Sequence, residues 1–395
     1  MAWSPLLAFA VITLLFGIGD LIAAKTKGVV SSIIVVIIVL LIFGGGLGLL
    51  PEDLFAQSGL LSLIPTFGMG LILVNLGSML DLKDLKREWK TALVALAGVV
   101  GVVALQFSLG SFLFGKAQAM AASAPTAGGM AATMLLTQAA NDAGQPDMAA
   151  FVAAVMALQV LIGLPIASFC LRKEASRFIA SGEYKVATVQ AEGKDGPIRL
   201  LPPTPKTLDV PSIHFARLAV VAVLAQAVTK LTGISTGITF LVGGILFAAI
   251  GIVDARALMK AGGESLLMLA TYASVVTSFV SMSFSKFGAM LIPVLGLLVI
   301  GAVGVIIVAS IVGKILHWTP WLSIAVGLCC MLGYPITYAV AMEVANGAVE
   351  GKDFSEGEKQ NVVNYLLPKM IVSGTVSVSI ASVILAGIVI PILFG

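Results

Sequence analysis

Residues 119–144 read AMAASAPTAGGMAATMLLTQAANDAG. The stretch is too rich in Gly, Ala, Thr and amide side chains to face lipid, yet very apolar segments flank it on both sides. Pro125 and the pair Gly128-Gly129 interrupt any helix drawn through it, because proline lacks a backbone donor and glycine readily turns left-handed. A second stretch, residues 326–347, reads VGLCCMLGYPITYAVAMEVANG. Laid over the first, its Gly333 and Thr337 meet Gly129 and Thr133, and after a one-residue gap Glu343 and Asn346 meet Gln138 and Asn141. Polar, interrupted segments recurring in two halves of an apolar chain point to a solute-binding site at membrane depth.

The rest of the composition fits that setting. Hydrophobic residues make up 59% of the chain and charged residues 11%, whereas a soluble domain carries roughly 25% charge. This is the composition of an all-α polytopic membrane protein, and 395 residues hold about ten spans of ~20 residues with their loops. A net charge of +3 gives no support for nucleic-acid binding. Cys170, Cys329 and Cys330 lie in apolar segments with no disulfide or metal-ligand spacing, and read as small hydrophobes. The first apolar segment has no basic region before it and no small-residue cleavage site after it, so it is expected to remain as a span.

Apolar runs place helices over 6–24, 29–50, 60–80, 91–114 and 148–171, then over 214–231, 237–253, 265–284, 287–315 and 362–394. The last is longer than one span and carries Pro368 and Gly374, so it bends or extends beyond the bilayer. Residues 172–212, with Pro202-Pro203-Thr204-Pro205, are expected to be a flexible connector. The segment 81–90, DLKDLKREWK, reads as an interfacial helix, and Asp20 near Lys25 and Lys27 as an interfacial ion pair.

Positive residues accumulate in cytoplasmic loops. With both termini outside, five spans per half and each special stretch entering and leaving on one side, 19 of the 23 Lys and Arg fall in the cytoplasm. Only Lys116, Lys230 and Lys286 fall outside, and Lys369 lies within a helix. Either special stretch crossing fully would destroy this bias. The halves then have opposite orientations: a first repeat over 1–171 with a re-entrant segment near 119–144, the cytoplasmic connector 172–212, and a second repeat over 213–395 with a re-entrant segment near 318–347. Matches in common order support the duplication: Ser78-Met79 with Ser281-Met282, GVVGVV from Gly98 with GAVGVI from Gly301, Gly48 with Gly251, Gly115-Lys116 with Gly313-Lys314, and Ile166-Ala167-Ser168 with Ile380-Ala381-Ser382.

Hydrocarbon cannot satisfy free backbone groups, so interrupted backbone at membrane depth survives only where protein or a water-filled cavity covers it. A half-helix that restarts after Gly128-Gly129, or after Gly333 and Pro335, aims its amides and partial positive charge at an anion. The tips of the two segments should meet near the midplane. Candidate substrate ligands are Thr126, Gly128, Gly129, Thr133, Gln138 and Asn141 from the first stretch and Gly333, Thr337, Glu343 and Asn346 from the second. The plain alternative is that these hydroxyls and amides bond helix backbones and that the small residues serve close packing. Lys369 lies about 10 Å into the final span and is a further candidate, paired with Glu343 or holding a substrate carboxylate; the alternative is a lysine that snorkels to the interface. Asn75, Asp142, Ser278 and Asn364 are candidates for ion coupling, and Gln159 adds polarity to the span after the first stretch.

Two inverted five-helix halves, a re-entrant segment closing each from opposite faces, a long connector and the Gly128-Gly129 pair resemble the sodium/glutamate symporter family and the related 2-hydroxycarboxylate transporters. The glycine signature of that family is matched in its first two positions by Gly128-Gly129-Met130-Ala131, and Gly333-Tyr334-Pro335-Ile336 departs from it. The resemblance implies sodium coupling, a homodimer, and an elevator-like movement of a domain holding both re-entrant segments against a scaffold of the first, second, sixth and seventh spans.

The expected function is cation-coupled secondary transport, with sodium as the ion, of a small anionic metabolite such as an amino acid or carboxylate, in the lipid bilayer of a bacterial inner membrane. No GxxxxGK[ST] loop occurs and no cofactor is expected. A proton-coupled antiporter or exporter is the alternative, with Glu343, Asp142 and Lys369 titrating. A membrane-embedded ion-translocating enzyme subunit is disfavoured, since His214 and His317 sit near helix ends. A passive channel lacks a charged ring.

Overall fold

The computed structural model describes residues 3–25, 32–79, 82–186, 201, 205, 209–333, 336–350 and 354–395. Pro335, Lys27, Lys352 and about half of the connector lie outside the described residues. Ten helical segments match the expected spans: α1 (Pro5–Lys25), α2 (Ser32–Gly46), α3 (Leu60–Ser78), α4 (Trp89–Phe114), then, past a first hairpin α5 (Lys116–Gly128) and α6 (Met130–Asp142), α7 (Pro146–Ala180), α8 (Pro211–Thr232), α9 (Thr236–Ile250), α10 (Glu264–Phe279) and α11 (Phe284–Ile315). After a second hairpin, α12 (Pro320–Leu332) and α13 (Ile336–Val349), the tenth span joins α14 (Glu356–Val376) to α15 (Ser382–Phe394) through a π-turn over Ser377–Ala381. Among the described residues, six helices are long and apolar enough to cross a membrane by length and composition alone. The chain is an all-α polytopic membrane protein.

One ion pair and one hydrogen bond fix the direction of the helices. Lys286 Nζ lies 3.3 Å from Asp147 Oδ2, so α7 and α11 start at one face. Thr319, just past the end of α11, donates its hydroxyl to Glu174 far along α7, so both helices reach the opposite face. These are the Asp147 face and the Glu174 face.

The hairpins follow from those landmarks. Phe114, at the end of α4, packs against Gly296 in the first half of α11, whereas Gly101 farther back in α4 meets Gly304, so α4 runs toward the Asp147 face and α5 departs from there. The chain returns there at the start of α7, and the tip between α5 and α6 reaches Gln159, about 18 Å along α7 from Asp147. The second hairpin starts at Thr319, whose hydroxyl accepts from the Leu322 amide at 3.2 Å and caps α12. Its tip, Met331 and Leu332, packs on Gly163 of α7, and α13 returns until Glu343 meets Arg172 at 3.3 Å. The hairpins thus dip from opposite faces, and α5 touches the end of α12 where they meet.

Pairs of glycines make this packing possible. A Cβ on Gly98 of α4 would lie 2.7 Å from the Gly327 oxygen in the second hairpin, and a Cβ on Gly301 of α11 would lie 3.1 Å from Thr126 Cγ2 in the first. Gly98 and Gly301 are the aligned residues of the two repeats, and each cradles the first arm of a hairpin. Around the hairpins stand α4, α7, α11, α14 and α15; α1, α2, α3, α8, α9 and α10 pack among themselves beside them, joined through α9 against α15 and α10 against α6.

Two boundaries near the site differ from the sequence expectation. α7 runs past Leu171 to Ala180, because Glu174, Ala175 and Phe178 are buried and turn a polar stretch into a packed helix face. The connector therefore begins later than Arg172. The last span starts at Glu356, six residues before Val362, on a capping box in which Ser355 and Glu358 satisfy each other's backbone amides. The expected start of the second span at residue 29 lies outside the described residues.

Candidate functional site at the meeting of the hairpin tips

Each tip turns on a glycine with positive φ. Gly129 has φ 62° and ψ −129°, its amide donates to the Pro125 oxygen at 2.8 Å, and its oxygen accepts the Thr133 amide at 3.1 Å. Gly333 has φ 70° and ψ 161°, its amide donates to the Cys329 oxygen at 2.9 Å, and its oxygen accepts the Thr337 amide at 3.1 Å. Only glycine holds such backbone without strain. The first amides of α6 and α13 and the last carbonyls of α5 and α12 lack partners within their helices. The positive ends of two helix dipoles therefore arrive at one place from opposite faces.

Two buried polar atoms at this place have no hydrogen-bond partner: Gln159 Oε1 and Thr337 Oγ1. Gln159 is 4% exposed and Thr337 fully buried. A Cβ on Gly129 would lie 3.6 Å from Gln159 Nε2, and one on Gly374 of α14 only 2.6 Å from Thr337 Oγ1. Serines of the tenth span line the same region. Ser373 donates to the Val326 oxygen at 2.6 Å, Ser377 donates to the Ser373 oxygen at 2.7 Å, and Ser382 packs on Gly128. Among the described residues no Asp or Glu lies at the crossing.

The structure places Gly128 and Gly129 at the first tip, beside Ser382 and Gln159, with Thr133 one turn into α6, and places Gly333 and Thr337 at the second tip, with Thr337 against Gly374 of α14. Thr133 already donates its hydroxyl to the Gly129 oxygen at 2.8 Å. Thr126 faces the other way: it accepts from Gln106 Nε2 at 3.3 Å, and the same nitrogen donates to the Leu297 oxygen at 2.8 Å, which ties the hairpin to α4 and α11.

The other expected residues do not join the crossing. Gln138, Asn141 and Asp142 lie at the far end of α6, where Gln138 Nε2 donates to Asp142 Oδ1 at 2.8 Å. Glu343 and Asn346 hold the matching exposed positions on α13. A helix rising 1.5 Å per residue carries positions nine or more past the break at least about 13 Å from the tips. Glu343 binds Arg172, not Lys369. Lys369 Nζ donates to the Tyr365 oxygen at 2.8 Å and lies 4.6 Å over the Tyr365 ring, its side chain reaching back toward the Glu174 face. Asn75 Oδ1 accepts the Leu258 amide at 2.9 Å and steadies the turn Ala257–Lys260. Asn364 Oδ1 accepts from Gln360 Nε2 at 2.9 Å near the start of α14, and Ser278 sits in the turn Thr277–Phe279 toward the Asp147 face.

Beneath the second hairpin lies a network that sequence reasoning missed. The Glu174 side chain is fully buried and accepts from Tyr365 Oη at 2.7 Å, from Arg177 Nη2 at 2.9 Å and from Thr319 Oγ1. Phe178 stacks on Tyr365 with centroids 4.0 Å apart. One carboxylate thus holds α7, the cap of α12 and α14 in register. Glu174 sits in a run that reads as connector, so no spacing marks it. The serines at 373, 377 and 382 were more visible, as a small polar stripe inside an apolar helix.

No protein-family profile matches the chain, and no curated protein matches it. Among solved structures the chain is similar to the sodium proton antiporter MjNhaP1 from Methanocaldococcus jannaschii at pH 8, with 15% identity, 99% of each chain covered and a TM-score of 0.48. The fold assignment rests on the helices themselves.

Proposed function

We propose that the chain is a secondary transporter that carries a small anionic metabolite, an amino acid or carboxylate, and draws on a cation gradient, with sodium as the coupling ion. The observation behind this reading is the crossing itself: two interrupted hairpins from opposite faces present helix amino ends, Gln159 Oε1 and Thr337 Oγ1 with no acidic side chain beside them. A bare cation held there as cargo would lack a carboxylate, whereas an anion meets two dipoles of the right sign. The carbonyl ends of α5 and α12 are the oxygen ligands a sodium ion takes in broken helices. The resemblance to the sodium/glutamate symporters supports the same reading, with the hairpins and α4, α7, α11, α14 and α15 moving against the remaining spans in a homodimer. The excess of Lys and Arg toward the Glu174 face supports reading that face as cytoplasmic, in keeping with a bacterial inner membrane.

The test is a thermal-shift screen of the purified protein against amino acids and carboxylates, with and without sodium. A solute bound by the folded state raises the unfolding temperature. A sodium-dependent rise with at least one such solute is expected. Stabilisation or flux that ignores sodium and follows pH would replace this reading with proton-coupled antiport.

A further inference from the structure

Away from the hairpins, at the Glu174 face, the end of the connector meets the turn that follows α9. His214, in the first turn of α8, is 1% exposed. Its Nε2 lies 2.7 Å from Asp209 Oδ1. A carboxylate only accepts, so the neutral ring carries its proton on Nε2 and leaves a bare lone pair on Nδ1. That Nδ1 is buried without a hydrogen-bond partner, 3.8 Å from Asp254 Oδ2, itself on a residue only 2% exposed. In that tautomer two electron-rich atoms face each other inside the protein, a contact reconciled either by a second ring proton or by a metal ion between them.

We infer that Asp209, His214 and Asp254 form a binding site for a divalent transition-metal ion, in which His214 Nδ1 and Asp254 are ligands and Asp209 orients the ring from behind. Ligand atoms of the three residues all lie within 4.8 Å of one another. A carboxylate on the far nitrogen of a ligating histidine is the usual outer partner of such sites, fixing the tautomer and raising basicity. Imidazole with carboxylate favours ions of the zinc and cobalt type over calcium or magnesium. Arg217 Nη1 and Lys260 Nζ stand 3.9 and 3.4 Å from Asp254 Oδ2. Lys260 is 40% exposed, so its ammonium swings into solvent when the ion enters, and the two cations compete for one carboxylate. Bound metal fastens Asp209, at the end of the connector, to the turn holding Asp254. Its place makes the ion a structural or regulatory clamp, separate from the hairpin crossing.

The test uses the full chain in nanodiscs, stripped of metal, titrated with Co2+ while its visible absorption is followed, with Zn2+ as competitor. A Co2+ spectrum that Zn2+ abolishes is expected. Lys260→Gln, at an exposed position, should bind several-fold more tightly, Asp209→Asn about tenfold more weakly, and His214→Gln and Asp254→Asn should lose the spectrum while His317→Gln keeps it. Absence of a spectrum in both the native protein and Lys260→Gln overturns the site, as does native-like binding in His214→Gln.

Discussion

Gly101 of α4 and Gly304 of α11 touch reciprocally: a Cβ on Gly101 would lie 2.2 Å from the Gly304 oxygen, and a Cβ on Gly304 would lie 2.1 Å from the Gly101 oxygen. The two are equivalent residues of the aligned runs GVVGVV and GAVGVI. A contact in which each residue plays the other's part is what a two-fold relation between surfaces requires. The crossing of α4 and α11 is thus the kind of contact that two halves related by a two-fold axis would make. Alanine at either position collides with backbone, which cannot swing away. Gly101→Ala and Gly304→Ala should each lower stability by about 1–3 kcal/mol, and by similar amounts. Thermal unfolding in detergent reads this directly, and a native midpoint for either variant contradicts it.

The contact between Gly128 and Ser382 differs in kind, because the obstacle is a side chain. A Cβ on Gly128 would lie 1.7 Å from Ser382 Cβ, with the Ser377 oxygen next at 3.1 Å. Gly128→Ala should therefore destabilise the first hairpin, and adding Ser382→Gly should recover much of the loss. Neighbours that share space depart from additivity by about 0.5–3 kcal/mol. A double mutant as damaged as the sum of the single ones would mean that the tip does not seat on α15.

These contacts also show what could be read from residues alone. Apolar runs located the spans because a helix surrounded by lipid must be apolar all round, and the glycines of the hairpins were visible because φ 62° at Gly129 and φ 70° at Gly333 admit little else. Polar side chains were harder to place. Gln138 and Glu343 align, after a one-residue gap, as Thr133 and Thr337 do, yet five or six residues, about one and a half turns, carry them from the hydroxyls near the tip toward the mouth, and a linear match carries no depth. Lys369 and Glu343 have complementary charge, but nearer partners, Tyr365 and Arg172, take them first. Glu174 was hidden because burial of a carboxylate depends on Tyr365 and Thr319, which lie 191 and 145 residues away in the chain.

At Thr337 the ligand-free protein bears a cost that a solute would remove. A buried hydroxyl without a partner costs about 1–3 kcal/mol, and Thr337 Oγ1 is such a group. Thr337→Val keeps the branched shape while deleting the hydroxyl, so the unfolding temperature without solute should hold or rise. The rise induced by a bound solute should shrink, and Gln159→Leu should behave alike. A valine variant that binds the solute as well as the native protein would remove Thr337 from the site.

Burial separates two carboxylates of the Glu174 face that the sequence does not distinguish. Glu174 is fully buried with three partners, whereas Glu343 and Arg172 have side chains 51% and 65% exposed. Removing one member of a buried charged pair costs about 3–5 kcal/mol, while an exposed pair is worth at most about 1 kcal/mol. Glu174→Ala should therefore unfold the root of the second hairpin, and Glu343→Gln should leave the unfolding temperature nearly unchanged. Arg177 extends the network to Glu183, where its hydrogen bond holds that carboxyl below its ordinary value of 4.5. A lowered carboxyl contributes stability above 4.5 and loses it as pH falls through the lowered value. The difference in unfolding temperature between the native protein and Glu183→Gln should hence be present at neutral pH and close in acid; a difference that widens on acidification would show that Arg177 does not stabilise the charged form.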